Sequence, residues 1–299
     1  MQVHEIQAGS IFVASRLPDA DYVANPYTGC EFGCLYCYAS FMGRFVGEPI
    51  PAWGKYVYAK VNAPARAVEE MERWPAKHRH DKILLSSVTD PYQGCEKELR
   101  LTRGILAALA DAEYPGSVSV LTKSPMVLRD VDLLRTLPAC EVGMTITTTD
   151  DALSRFVEVR APLASRRMKT LKALSAAGVE TYAFVGPLLP HFRYRPEELA
   201  SLFKGIAECG VGSVYVEHIN LKRYIADKLL PKIAELPDEA RAVYASADTR
   251  EHRAALDALV GDLMKEFGLR LRLSEVLYHN ENNDQVAGRA GKRSVSEME

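Results

Sequence analysis

The sequence predicts an α/β fold over residues 21–235, and two observations carry that prediction. Short β-rich runs alternate with amphipathic helical runs, the pattern of a parallel sheet built from βα units. Gly178 and Gly210 stand where a helix should stop before the next strand begins. In order, strands are expected at 21–26, 82–87, 117–122, 142–148, 180–185 and 213–217, and helices at 65–74, 101–112, 129–137, 164–177 and 196–208. That makes six βα units. Residues 1–20 lack periodicity and read as an N-terminal strap. After Ile219 the pattern changes to a charged helical region, 222–267, with a break marked by Leu236-Pro237. A β-like run at 269–277 follows, and the polar tail from Asn280 is expected to be flexible. The division is therefore a strap at 1–20, a βα core at 21–220 and a C-terminal extension at 221–299.

The bulk properties exclude several classes. At 299 residues with 47% hydrophobic and 25% charged side chains, the composition is that of a globular protein. No apolar run approaches the roughly 20 residues that span a bilayer, so no membrane partner is expected. The formal net charge of −2 supplies no global positive field for nucleic acid. Lys77-His-Arg-His80 and Arg193-Tyr-Arg195 are short and read as solvated surface. The six cysteines are spread along the chain and no signal peptide opens it, so reduced thiols and a cytoplasmic location are expected.

Three of those cysteines share one short run, Gly29-Cys30-Glu31-Phe32-Gly33-Cys34-Leu35-Tyr36-Cys37-Tyr38. They offer three thiolates where an iron–sulfur cube needs four ligands, which leaves one iron open for chemistry. Zinc is the alternative, but it takes two spaced ligand pairs, and His78 and His80 lie far along the chain with no second CxxC. Cys140 and Cys209 are isolated and read as packing.

The run Cys-x3-Cys-x2-Cys followed by Tyr38 resembles the signature of radical S-adenosylmethionine (SAM) enzymes. Its surroundings are similar to one branch of them, the spore photoproduct lyase-like or DNA repair photolyase-like group. The matching stretches are Asn25-Pro-Tyr-Thr-Gly-Cys-Glu-Phe-Gly-Cys-Leu-Tyr-Cys-Tyr38, Ser87-Val-Thr-Asp-Pro-Tyr-Gln93, Leu99-Arg-Leu-Thr-Arg-Gly-Ile105, Leu121-Thr-Lys-Ser-Pro125 and Glu158-Val-Arg-Ala-Pro162 with Arg167. The resemblance implies an incomplete (β/α)6 TIM-type barrel, completed here by a C-terminal helical and β-like extension. It implies a [4Fe-4S] cluster on Cys30, Cys34 and Cys37, with SAM on the open iron and a flavodoxin or ferredoxin as reductant. Reductive cleavage of SAM would then yield methionine and a 5′-deoxyadenosyl radical, which takes hydrogen from a substrate. Independently of the family, each motif falls at or just beyond the carboxyl end of an expected strand, where parallel barrels collect their active sites.

The resemblance also assigns roles residue by residue. Tyr38 packs near the adenine of SAM, and Tyr36, between the second and third cysteines, matches a tyrosine implicated in returning a hydrogen atom. Both are equally explained as packing aromatics. Ser86, Ser87 and Asp90 end the second strand, where the amino nitrogen of SAM is held, although Asp90 could equally close an Asx-type turn. Lys123 matches the lysine that pairs with the SAM carboxylate. Thr145 and Thr147 lie on one side of the fourth strand, with hydroxyls suited to the ribose or methionine, and threonines also simply suit strands. Glu158 and Arg167 match the polar wall beside the ribose and carboxylate; Arg160 matches too, and a salt-bridge partner explains it as well.

One departure bears on the reaction. The lyases carry a hydrogen-donating cysteine where this chain has Ser87, whose O–H bond is too strong for that task. Cys95 lies five residues past Asp90 and could substitute if its loop turns inward; a buried, inert cysteine is the alternative. Two substrate classes stay open, a nucleic-acid lesion or a peptide, protein or small metabolite. A non-catalytic iron–sulfur module is the competing class.

Overall fold

The protein is described here from a computed structural model, which covers residues 1–235 and 238–278. Its strands are β1 (Gln2–Ile6), β2 (Phe12–Ala14), β3 (Tyr22–Ala24), β4 (Tyr27–Thr28), β5 (Tyr56–Lys60), β6 (Ile83–Leu85), β7 (Val118–Thr122), β8 (Cys140–Thr145), β9 (Glu180–Leu188), β10 (Ser213–His218) and β11 (Arg270–Leu271). The helices are α1 (Ala63–Glu72), α2 (Glu96–Leu99), α3 (Leu101–Asp111), α4 (Val131–Thr136), α5 (Asp151–Glu158), α6 (Ala164–Ala176), α7 (Pro196–Glu208), α8 (Arg223–Ile233), α9 (Asp238–Ser246) and α10 (Arg250–Glu266).

An eight-stranded sheet in the order β2-β3-β6-β7-β8-β9-β10-β11 organises the chain, with every neighbouring pair parallel except β2 against β3. The six strands expected from the sequence are β3 and β6 to β10, in sequential order. Because crossover helices cover it, the sheet is buried, and Ile83, Leu85, Val118, Val120, Val142, Met144, Val185 and Val214 are fully inaccessible. Each such side chain contributes about 1.5–3 kcal/mol by leaving water. Pro64 and Pro196 sit in the first turns of α1 and α7, where no helical hydrogen bond needs their missing N–H. Gly178 and Gly210 follow α6 and α7 with positive φ, as the stop signals required.

Several expectations are corrected. The strap is not featureless: β1 pairs in parallel with β5 in a separate three-stranded sheet, β1-β5-β4, and β2 pairs with β3. The helix expected at 129–137 begins as a 3-10 turn at Pro125–Asp130, because Pro125 follows a serine whose Oγ accepts from the Met126 N–H at 3.3 Å. The fourth expected strand, β8, ends at Thr145, so Thr147 lies beyond it. The region 222–267 divides into α8, α9 and α10, and the β-like run yields only β11 plus a bridge from Glu217 to Leu277. Leu256, Val260, Leu263 and Met264 of α10 join the main core, so the extension is built onto the sheet. The break at Leu236-Pro237 and the tail from Asn280 lie outside the described residues. Among those described, no helix is long and apolar enough to cross a membrane.

Candidate active site

The cysteine loop leaves β4 through Gly29, whose φ is +92° and where a Cβ would stand 2.6 Å from the Tyr56 carbonyl oxygen. Only glycine fits that approach. The loop is then fixed from outside. The Glu31 N–H donates to Gln93 Oε1 at 2.9 Å, the Thr89 hydroxyl to the Gly29 carbonyl at 2.5 Å, and Arg160 Nε to the Glu31 carbonyl at 2.7 Å. Phe32, Trp53, Tyr56 and Ala161 pack around Cys30 and Cys34. The block after β6 therefore serves as a bracket for the loop, a role that the sequence did not disclose. Arg160 belongs to the same bracket, and its Nη2 also donates to the Gly54 carbonyl.

All three cysteines are free thiols and open into one cavity of about 570 Å³. Of the candidates from the sequence, Tyr36, Tyr38, Ser86, Ser87, Asp90, Lys123 and Thr145 line it with them. Ser86, Ser87 and Asp90 arrive from the carboxyl end of β6, Lys123 from that of β7 and Thr145 from that of β8, as expected for a parallel sheet, while Tyr36 and Tyr38 come from the cysteine loop itself. Tyr38 donates its hydroxyl to the Ser87 carbonyl, and Ser87 Oγ accepts from Asn25 Nδ2 at 3.3 Å. Asp90 is occupied by the chain itself: its carboxylate accepts from the Tyr92 N–H at 2.9 Å, the Thr122 hydroxyl at 2.7 Å and the Lys123 N–H at 2.8 Å. That is the turn-closing role. Lys123 Nζ lies 5.8 Å from the centre of the Tyr36 ring, within cation–π range.

Four candidates stand elsewhere. Cys95 does not line the cavity; it packs beside Val61 and Leu99 against Tyr27, Val57 and Leu101. Burial, then the nearby Glu31 and Glu96, push its thiol up to about 12. Thr147 lies past the end of β8, and its hydroxyl is buried without a hydrogen-bond partner among the described residues. Glu158 and Arg167 stand behind the wall. The Tyr36 hydroxyl donates to Glu158 Oε1, and Arg167 donates Nη1 to the same oxygen at 2.9 Å and Nη2 to Oε2. Ser154 adds a hydroxyl to Oε2 at 2.9 Å, while Arg167 Nε reaches the Pro162 carbonyl at 2.7 Å. Burial alone would push the Glu158 carboxyl up, but Arg167 and Lys123 outweigh it and hold the pKa below its ordinary value. Glu158 and Arg167 thus orient Tyr36 from behind.

Glu217 and His218, at the end of β10, and Asn220 line the same cavity. Burial pushes the Glu217 carboxyl up to about 7, with Lys123 opposing. Glu217 was missed from the sequence, although it closes the strand expected at 213–217, and strand ends are where parallel sheets collect site residues. His218 pairs through Nε2 with Asp257 Oδ1 of α10 at 2.7 Å.

The thiols themselves suit an iron–sulfur cube. Burial raises all three above their ordinary value, with Cys34 at about 12, and around Cys30 and Cys34 neighbouring thiols and a carboxylate add to the rise. Three thiols on one loop, Cys30 and Cys34 buried and Cys37 half-buried, would need a cationic centre to hold them deprotonated, and tetrahedral iron is such a centre. The Lys123 ammonium beside them is the group that a carboxylate ligand would seek.

Comparison with known proteins agrees with this site. The profile of the radical SAM superfamily matches residues 24–203, which takes in the cysteine loop and β6 to β9. An uncharacterized protein of Methanocaldococcus jannaschii is 36% identical over 190 residues, 64% of this chain and 69% of that protein. An uncharacterized protein of Mycobacterium bovis is 31% identical over 229 residues, 73% of this chain and 65% of that one, so the chain spans about two-thirds of these relatives. Among solved structures, a spore photoproduct lyase complexed with dinucleoside spore photoproduct superposes at a TM-score of 0.67 and 16% identity, covering 93% of this chain and 82% of that chain. A lyase variant with bound AdoMet and the same dinucleoside gives 0.62 at 15% identity, covering 90% and 81%. Enzymes of this superfamily use a [4Fe-4S] cluster and SAM, and both the sequence match and the three-cysteine cavity place the chain among them: it belongs to the radical SAM superfamily.

Proposed function

We propose that the protein reductively cleaves SAM and uses the resulting radical to take a hydrogen atom from an organic substrate. The observation that carries this reading is one cavity shared by three free cysteines of a single loop and by Lys123. When bound, the cluster and SAM supply the 5′-deoxyadenosyl radical; the protein supplies position and exclusion of water. In this reading Cys30, Cys34 and Cys37 hold the cluster, and Lys123 pairs with the SAM carboxylate. Tyr38, Ser86, Ser87 and Thr145 offer hydroxyls and a ring face to the nucleoside. Asp90 sets the backbone at Lys123, and Glu217 is the better placed carboxylate for an ammonium. The sheet from β3 to β10 is then the wall of a partial (β/α)6 barrel over 21–220, with 1–20 as strap and the extension from 221 closing one side. Reduction by a flavodoxin or ferredoxin in the cytoplasm fits this chemistry.

The substrate reading turns on Ser87. Among the described residues, the thiols that line the cavity are the three proposed ligands and Cys95 packs elsewhere, while by the resemblance Ser87 matches the position of the lyases' donor. This disfavours a thymine-lesion lyase that works with a thiol donor and favours another substrate or another donor. The fold shared with lyases that bind a dinucleoside photoproduct supports the nucleic-acid reading as the second one. Anaerobic reconstitution followed by dithionite and SAM tests the main proposal: release of 5′-deoxyadenosine supports it, and the absence of both a cluster and that product sinks it. Titration with a dinucleoside photoproduct and with duplex DNA at low salt then separates the two substrate readings.

A further inference from the structure

We propose that Lys228 is a positioning residue for the electron-transfer step, placing a positive charge against the cysteine loop and thereby raising the reduction potential of the cluster that this loop holds; the inference rests on the cluster reading above. Lys228 belongs to α8, beyond the stretch that the family profile matches. Its Nζ donates to the Cys34 carbonyl oxygen at 2.9 Å. One turn earlier, the Tyr224 hydroxyl donates to the Tyr38 carbonyl at 3.0 Å. Positions four apart share a helix face, so α8 presents both side chains to the loop that carries the ligands. Leu229 and Ile233 anchor the helix in an apolar cluster against which Leu35 and Tyr36 also pack.

Lys228 forms no ion pair with an acidic side chain among the described residues, and its contact with the loop is the hydrogen bond to the Cys34 carbonyl. A half-buried ammonium without a counter-charge is costly, and the nearest source of negative charge is the set of thiolates and the cluster that they would bind. One-electron reduction makes that assembly more negative by one charge, so a fixed cation beside it stabilises the reduced form more than the oxidised form. Outer-sphere charges and hydrogen bonds tune iron–sulfur potentials in this way. Lys228 does not line the cavity, so it acts on the loop and its cluster and not on SAM.

The test is an anaerobic redox titration of the reconstituted full-length protein without SAM, read by electron paramagnetic resonance of the reduced cluster. Lys228→Gln keeps a donor for the Cys34 carbonyl but removes the charge; Lys228→Met removes both; Lys228→Arg keeps the charge. The expected result is a shift to more negative potential in the Gln and Met variants, with the Arg variant close to the wild type. If Lys228→Gln titrates with the wild type, the charge has no such role, and a shift confined to Lys228→Met would assign the effect to the hydrogen bond instead. Should a variant load less iron, the titration still reports the potential of the cluster that forms. A wild-type protein that takes up no cluster overturns the underlying functional reading, an outcome distinct from loaded variants that show no shift.

Discussion

Arg167→Leu is expected to destabilise the protein by about 3–5 kcal/mol, the cost of breaking a buried ion pair by removing one partner. Both side chains are essentially inaccessible, Arg167 at 0% and Glu158 at 1%. The variant leaves the carboxylate with the Tyr36 and Ser154 hydroxyls and strips the Pro162 and Thr145 carbonyls of their guanidinium donor. The pH dependence follows from the sign of the shift. In the wild type the folded Glu158 carboxyl titrates below its ordinary value of 4.5, so its contribution to stability is present above that pH and is lost as pH falls through the folded value. Without Arg167, burial dominates and raises the same carboxyl, so the deficit of the variant narrows towards acid pH. Urea unfolding followed by the fluorescence of Trp53 and Trp74 and by circular dichroism measures both effects. A variant within about 1 kcal/mol of the wild type at neutral pH would refute the ascription of a structural role to this pair. Replacing both partners by apolar residues of similar size should recover much of the loss.

Four further outcomes are expected. Alanine at Cys30, Cys34 or Cys37 should abolish iron retention after reconstitution, checked by iron assay and visible absorbance, while alanine at Cys95 should leave it intact. Lys123→Met should weaken SAM binding to the reconstituted protein about tenfold to a hundredfold, the value of one charge-assisted hydrogen bond, as read by equilibrium dialysis. Gly143→Ala should unfold the protein or lower its melting temperature sharply, because the added Cβ would lie 2.1 Å from the Tyr182 ring in the centre of the sheet. The Glu217 carboxyl, raised from 4.5 to about 7, holds its proton longer in the folded than in the unfolded chain, so stability falls as pH rises across that window. In Glu217→Gln the melting temperature should lose that slope between pH 4.5 and 7.

The sheet was legible because short β-rich runs, Ile83–Leu85 and Val118–Thr122 among them, alternate with amphipathic helical runs. The small sheet β1-β5-β4 was not, because Gln2–Ile6 exposes nearly every residue and alternates nothing that a pattern could register. The cysteines announced themselves by spacing alone. Glu158 and Arg167 were found by resemblance, but their pairing with each other and with the Tyr36 hydroxyl was not, since sequence gives the order of residues and not which buried groups meet. Lys228 gave no signal at all: a lysine in a charged helix is ordinary until the fold sets it against the Cys34 carbonyl.

Where the radical is spent depends on which group can return a hydrogen atom. A donor must present its O–H or S–H to the cavity, and Ser87 presents a bond too strong to give up. Tyr36 lines the cavity, yet its proton is directed at Glu158, a carboxylate held ionised by Arg167. With that bond in place, oxidation of Tyr36 would send the proton to Glu158 and only an electron towards the substrate. Under the proposed reaction, Tyr36 could therefore donate a whole hydrogen atom only once its hydroxyl had turned away from Glu158.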